Sequence, residues 1–244
     1  MTTASRPQIG LIGLGAFGRL AAQHLAPHAD LVGHDPHMRE LADGRWVELA
    51  EAAAQPIVIL AVPVQALAEA CAQIVPHVRD GALVLDVASV KLGPMRILRE
   101  TLPAGTRILG THPLFGPQSA AAAGIAGQSI VLCPEPGVET RCVEDFLAGT
   151  LGLDVHVSDA DTHDRTMASV QALTHLVSKV ITDLNLPPAP YTTRSYDLLV
   201  EAARLVSQDS DQLFRAIERH NPHAASLRRR FFEAARALDA RLTE

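Results

Sequence analysis

The hydrophobic positions in the first two-thirds of the chain fall in short apolar runs separated by longer amphipathic stretches. Runs at 8–12 (QIGLI), 30–35 (DLVGHD), 56–63 (PIVILAVP), 82–87 (ALVLDV), 106–111 (TRILGT), 128–134 (QSIVLCP) and 153–158 (LDVHVS) predict strands. The run at 56–63 is almost wholly apolar, as a strand covered on both faces requires. Between the runs, 16–26 carries Phe17, Leu20 and Leu25 near one helical face, and 64–75 and VETRCVEDFLAGTLG read as further helices. Strands alternating with helices of this length predict an α/β fold, a mostly parallel sheet with a helical layer on each side. The alanine-rich SAAAAGIAG at 119–127 fits either a loop or a short helix.

From Asp159 onward the pattern changes to helical spacing alone. Residues 159–184 begin with cap-competent aspartates and continue as one helix, which NLPPAP at 185–190 stops because prolines lack a donor and clash with the preceding turn. Further helices are predicted over 193–207, 209–219 and 223–241. Two domains follow, 1–158 and an all-helical 159–244. The second is small for an independent core, so its apolar faces are expected to pack on the first domain or on another subunit.

Composition narrows the function classes. A net charge of −6 with one Trp, two Tyr and six Phe argues against a phosphate-backbone binder or an aromatic platform for single strands, so no nucleic-acid partner is expected. Cys71, Cys133 and Cys142 are odd in number and lack metal-ligand spacing, which fits a reduced, cytoplasmic setting without a metal. MTTASRPQIG has no basic patch followed by a long apolar run, and no stretch of about 18 apolar residues suggests a membrane span.

The chemistry-bearing motifs sit at the ends of the predicted strands. GLGAFG (Gly13, Leu14, Gly15, Ala16, Phe17, Gly18) follows an apolar strand and opens a helix, the context in which G-x-G-x-x-G binds a dinucleotide. Gly13 allows a tight turn, Gly15 lets a pyrophosphate approach the backbone, and Gly18 allows close helix packing. Asp35 lies 22 positions after Gly13 at the end of the second strand. A carboxylate there accepts both ribose hydroxyls and repels a 2′-phosphate, which predicts NAD over NADP; the plainer reading is a cap on the following turn. His34, Arg39 and Arg45 are close enough in sequence to soften the preference. AVPV at 61–64 puts Val62 beside the adenine or pyrophosphate, or is simply a buried strand end.

A second group follows later strands. DVASVKLGP carries Ser89 and Lys91, and GTHPLFGP carries His112 in what reads as a proline-stiffened loop. All three fall on the edge where open parallel sheets collect ligands. There His112 can take a hydroxyl proton while hydride leaves the same carbon, and Lys91 can supply a cation for an anionic substrate. Each also has an ordinary reading: Ser89 as a helix cap, Lys91 as a solvated surface charge, His112 as a satisfied loop histidine.

Taken together, GLGAFG, DVASVK, GTHPLFGP and HDRTMASVQALTH (163–175) resemble the prephenate dehydrogenase family, which includes arogenate dehydrogenases. The resemblance implies a Rossmann domain followed by a helical dimerisation domain, NAD as cofactor, a small anionic substrate and a homodimer. It implies oxidative decarboxylation, giving 4-hydroxyphenylpyruvate from prephenate or tyrosine from arogenate; a 4-amino-4-deoxyprephenate substrate is a further alternative, and an NAD-binding sensor or dimerisation protein without turnover is the non-enzymatic one. On this resemblance His112 is the catalytic histidine, Ser89 its partner, and Lys91 and Arg204 substrate contacts. Tyr196 stands where some members have another arginine, with Arg194 two positions away. His163 and Gln171 match positions near the substrate cleft, and His175 a position linked to ligand sensitivity.

Overall fold

The apolar runs become the strands of one eight-stranded sheet. The structure, a computed structural model, describes residues 6–207 and 209–243. The strands are β1 (Gln8–Ile12), β2 (Asp30–His34), β3 (Arg45–Trp46), β4 (Ile57–Leu60), β5 (Leu83–Asp86), β6 (Arg107–Pro113), β7 (Ser129–Pro134) and β8 (Asp154–Val157). Their spatial order is β3-β2-β1-β4-β5-β6-β7-β8, parallel except where β6 meets β7. The helices of this part are α1 (Ala16–Leu25), α2 (Leu49–Ala53), α3 (Leu67–Ile74), α4 (Leu92–Thr101), α5 (Pro117–Ala123) and α6 (Arg141–Gly149).

Pleating sorts the strand residues into two cores. Ile57 and Ile59 of β4, with Leu83 and Leu85 of β5, face α1, α5 and α6. Val58, Leu60 and Val84 face the other way, onto α2, α3 and α4. The alanine-rich segment resolves as α5 over its first half, started by Pro117 at the first helical position, where a missing N–H costs nothing. Three elements were not predicted from the sequence: β3 is only two residues long, α2 only five, and α4 begins LGP. Pro94 is tolerated in the first turn of α4, and Met95, Leu98 and Leu102 then form its buried stripe.

The strand bearing His112 is longer than its apolar run suggests. β6 continues through His112 and Pro113, which pair with Val131 and Ile130 of β7, so His112 stands on a strand and not in a loop. The proline sits at the strand end, where a missing donor is tolerated, and Leu114 N–H resumes the ladder to the Ser129 carbonyl.

The chain divides into two compact units between Ala160 and Asp161. In the second, the predicted single helix over 159–184 is interrupted: α7 (Ala160–Met167) runs into a π-helical turn at Ala168–Ala172, and α8 (Leu173–Asp183) follows. Asn185, with φ of 46°, ends α8 in the left-handed conformation before the prolines are reached. Then come α9 (Arg194–Ser207), α10 (Asp211–His220), whose first turn is capped by Ser210, and α11 (Ala224–Leu242). The buried apolar cluster of this unit is small, Ala172, Ile217 and Ala224 with Leu213 against them. Val180, Leu184, Leu198, Leu199 and Leu205 are exposed. Among the described residues no helix is long and apolar enough to cross a membrane.

Candidate active site

The glycine turn has the geometry of a dinucleotide cradle. Gly13 has φ of 96°, and a Cβ there would stand 2.4 Å from the Ala61 carbonyl oxygen and 3.1 Å from Val62. Val62 thus backs the turn. A Cβ on Gly18 would stand 2.0 Å from the Gly13 carbonyl oxygen, so only glycine lets α1 lie this close to the turn. Gly15 is different, with nothing within 4 Å of its Cβ position. Leu14 is buried, Gly15 and Ala16 are exposed, and Phe17 is half-buried. The open space at Gly15, at the N-terminus of a ten-residue helix, is where a pyrophosphate would meet backbone amides and the helix dipole.

Asp35 lies just past β2. Its Oδ2 accepts from Leu14 N–H at 2.9 Å, and Oδ1 accepts from the amides of His37 (2.8 Å) and Met38 (3.0 Å). Burial pushes its carboxyl upward, but those three amides, with His37 nearby, outweigh it and hold the group below its ordinary value of 3.8. The turn-capping reading therefore describes real bonds, yet it also fixes an ionised carboxylate beside the glycine turn, with one lone pair of Oδ2 left for a ribose hydroxyl. The cations expected to soften its preference have other partners: Arg45 pairs with Glu51 at 2.5 Å, Arg39 lies over the Trp46 ring, and His34 Nδ1 is 3.0 Å from the Val47 carbonyl oxygen.

The second group gathers at the carboxyl end of β5 and β6. Asp86, the last residue of β5, pairs in register with Gly110, so His112 stands two residues further along β6. That is about 7 Å beyond the last β5 pair, level with the loop that carries half-buried Ser89. His112 is itself buried.

Lys91 differs from expectation. It is 0% exposed, and its ammonium donates to Asp86 Oδ2 at 2.5 Å and to the Thr111 carbonyl at 2.6 Å. The solvent-facing cation is thus corrected to one half of a buried ion pair. Its stem crosses β6 over Gly110, where a Cβ would come within 3.1 Å of Lys91 Cδ and 2.7 Å of Met95 Sδ. Asp86 Oδ2 also accepts from Ala88 N–H at 2.9 Å, and Thr111 Oγ1 donates to the Asp86 carbonyl at 2.7 Å. These bonds stitch the Ser89 loop to the strand beside His112. Asp86, Gly110 and Thr111 were missed by sequence reasoning; the one available signal was an aspartate ending an apolar strand five residues before a lysine. The neighbouring Cys71 thiol is pushed up to about 12 by burial and then by the charge of Asp86, which leaves it inert at neutral pH.

The rest of GTHPLFGP joins this edge to the nucleotide helix. Phe115 meets Phe17 of α1 with ring centroids 6.4 Å apart. Ser119 Oγ accepts from Gly116 N–H at 2.9 Å, fixing the start of α5. The loop's rigidity thus anchors the far end of the His112 strand.

In the helical unit, His163 is buried with Nδ1 2.8 Å from Asp164 Oδ1, and Asn221 donates to the Asp164 carbonyl at 2.8 Å. Gln171 lies in the π-helical turn, and its buried Oε1 has no hydrogen-bond partner among the described residues. His175 bridges, Nδ1 2.9 Å from the Gln171 carbonyl and Nε2 2.9 Å from Asp209 Oδ2, tying α8 to the connection between α9 and α10. Arg194 and Arg204 are exposed on α9, with Tyr196 half-buried between them. No group of three or more His, Cys, Asp or Glu among the described residues is arranged to hold a metal ion.

Residues 30–157 match the family model for the nucleotide-binding domain of prephenate dehydrogenase, which is more than half of the chain. The chain belongs to the prephenate dehydrogenase family. The matched span begins after the glycine turn, whose assignment therefore stands on its own geometry. Among relatives of this prephenate dehydrogenase-family chain, a probable arogenate/prephenate dehydrogenase of Methanocaldococcus jannaschii is 28% identical over 193 residues, 75% of this chain and 42% of the relative. The 4-amino-4-deoxyprephenate dehydrogenase of Streptomyces pristinaespiralis is 35% identical over 130 residues, 52% of this chain and 41% of the relative. The chain thus spans about two-fifths of the length of these curated relatives. The fold is shared with a crystal structure of prephenate dehydrogenase from A. aeolicus in complex with hydroxyphenyl propionate and NAD+, at a TM-score of 0.77 and 17% identity, covering 99% of this chain and 92% of that one.

Proposed function

We propose that the chain is an NAD-dependent prephenate dehydrogenase, oxidising the C4 hydroxyl of prephenate with loss of the ring carboxylate to give 4-hydroxyphenylpyruvate. The observation that carries this reading is His112 at the carboxyl edge of the sheet, on a strand braced by the Asp86–Lys91 pair on one side and the Phe17–Phe115 contact on the other. NAD, when bound, supplies the hydride acceptor. Gly15 and the first amides of α1 would receive its pyrophosphate, and Asp35 its adenosine ribose.

An imidazole nitrogen of His112 takes the hydroxyl proton as C4 gains carbonyl character and its hydride departs. The C–C bond to the ring carboxylate then breaks, carbon dioxide leaves, the pair of that bond completes the aromatic ring, and the C4 oxygen takes back the proton from the His112 imidazolium to give the phenol. Ser89, on the loop beside β6, orients the imidazole or the hydroxyl. Lys91 acts from within the fold, holding that loop to β6. Arg204, with Arg194 on the same helix, presents a guanidinium suited to a carboxylate, and His163 and Gln171 support the substrate region of the helical unit. The exposed Val180, Leu184, Leu198, Leu199 and Leu205 favour a homodimer formed through this unit.

The relative acting on 4-amino-4-deoxyprephenate keeps an amine-bearing substrate in view. Steady-state production of NADH with prephenate, arogenate and 4-amino-4-deoxyprephenate tests the proposal. Prephenate should have the highest kcat/KM, and a clear preference for either of the others would replace it.

A further inference from the structure

The arginine nearest in sequence to the carboxylate that reads the ribose is held elsewhere. Arg39 comes four residues after Asp35, in the segment following β2. In folds of this type a nearby arginine accommodates the 2′-phosphate of NADP. Here the guanidinium carbon of Arg39 stands 5.2 Å from the centroid of the Trp46 ring. Trp46 is well placed for this. It is the second residue of β3, paired in register with Gly33 of β2, and its ring lies 5.8 Å from that of His34. The other arginines of the neighbourhood also have partners. Arg45 is on Glu51, and Arg19 donates to the Leu14 carbonyl at 3.1 Å and to Met38 Sδ at 3.2 Å.

We propose that Trp46 is a specificity-determining residue, which by stacking Arg39 denies the ribose pocket the cation that a 2′-phosphate needs. Selectivity for NAD then has two parts. Asp35 repels the phosphate, and the Trp46–Arg39 stack withholds its counter-charge. The inference rests on the NAD reading of the glycine turn and Asp35. Removing Asp35 alone leaves the second barrier in place. An exposed cation–π pairing biases a guanidinium by roughly two- to fivefold, which sets the size of the effect.

The test is direct titration of NAD and NADP by calorimetry, which needs no substrate. In Asp35→Ser the gap between the two nucleotides should narrow. Adding Trp46→Leu should tighten NADP by a further two- to fivefold, and adding Arg39→Gln to that pair should cancel the gain. No tightening on Trp46→Leu, or a gain that survives Arg39→Gln, overturns the proposal. Because Trp46 packs against the core of the sheet, Asp35→Ser/Arg39→Gln with Trp46 in place gives an independent reading. There NADP affinity should change less than twofold, since Arg39 is already withheld; a tenfold loss would mean that Arg39 reaches the phosphate past the indole and would overturn the inference. Failure of the unmodified protein to bind NAD would instead remove the cofactor reading on which it rests.

Discussion

Replacing Lys91 by methionine separates a buried structural cation from a solvent-facing substrate contact. The ammonium is 0% exposed and its partner Asp86 has a side chain 1% exposed, so the substitution leaves a carboxylate in the core without its cation. Breaking a buried pair from one side costs about 3–5 kcal/mol. At about 2–4 °C per kcal/mol for a domain of this size, the melting midpoint should fall by roughly 6–20 °C. Asp86→Asn/Lys91→Met, which removes the stranded charge, should recover a large part of that loss, because replacing both partners of a buried pair is often close to neutral. The assay is thermal unfolding by circular dichroism on the three proteins, with substrate kinetics at a temperature where all are folded. If Lys91→Met melts within about 2 °C of the unmodified chain while its substrate KM rises sharply, the lysine is an open cation and the stitching of the Ser89 loop to β6 is wrong.

Further expectations follow from the same geometry. His112→Asn should lower turnover by roughly 10²–10⁴-fold with nucleotide affinity kept, and near-normal turnover would make β6 a wall and move the proton to another acceptor. Gly18→Ala, whose methyl would stand 2.0 Å from a backbone oxygen, should cost about 1–3 kcal/mol in denaturant unfolding, while Gly15→Ala should unfold as the parent does and lose NAD in titration; equal stability for both variants would refute the packing argument. Asp35 is held below 3.8 in the folded chain, so its contribution to stability is fully present above that pH and is lost as pH falls through the lower folded value. The stability difference between the parent and Asp35→Asn, measured by denaturant titration, should therefore be constant near neutrality and shrink in strong acid; a difference that grows on acidification would reverse the sign of the shift. Exposed Cys142 should react with a thiol reagent well before buried Cys71 and Cys133 in the folded chain, and equal rates would contradict their burial.

The parts of this fold that were legible in the sequence are those where one pattern dominates. β1, β4 and β5 read clearly because strands covered on both faces are continuously apolar. The glycine turn read clearly because each of its three glycines answers a different steric demand. β3 has two residues and no period to detect, and α4 hid behind Gly93-Pro94, a pair that usually signals a turn. Pro113 resembles a breaker, so the sequence alone puts His112 in a loop; the antiparallel partner β7 that extends the strand is a long-range fact. The position of Lys91 was illegible for the same reason. Lysine is a surface residue by default, and only the absence of a side chain at Gly110, 19 residues later on the neighbouring strand, makes room for its stem. The π-helical turn leaves no trace in apolar spacing at all.

That turn gives the segment between His163 and His175 one place where a change of length can be absorbed. A π-helical turn is an α-helix carrying one additional residue, and each residue of a regular α-helix advances the chain by about 100°. Deleting any single residue of 168–172 removes the residue that the wide turn accommodates, so the segment closes into regular α-helix and α8 keeps nearly its bearing relative to His163. The same deletion in the regular turn just before it, at 164–167, has no such slack: His175 would swing away from Asp209, and the exposed apolar stripe at Val180 and Leu184 would turn to a new bearing. A one-residue deletion is taken up at the turn and is a crank on the whole of α8 when it falls in the regular helix before it.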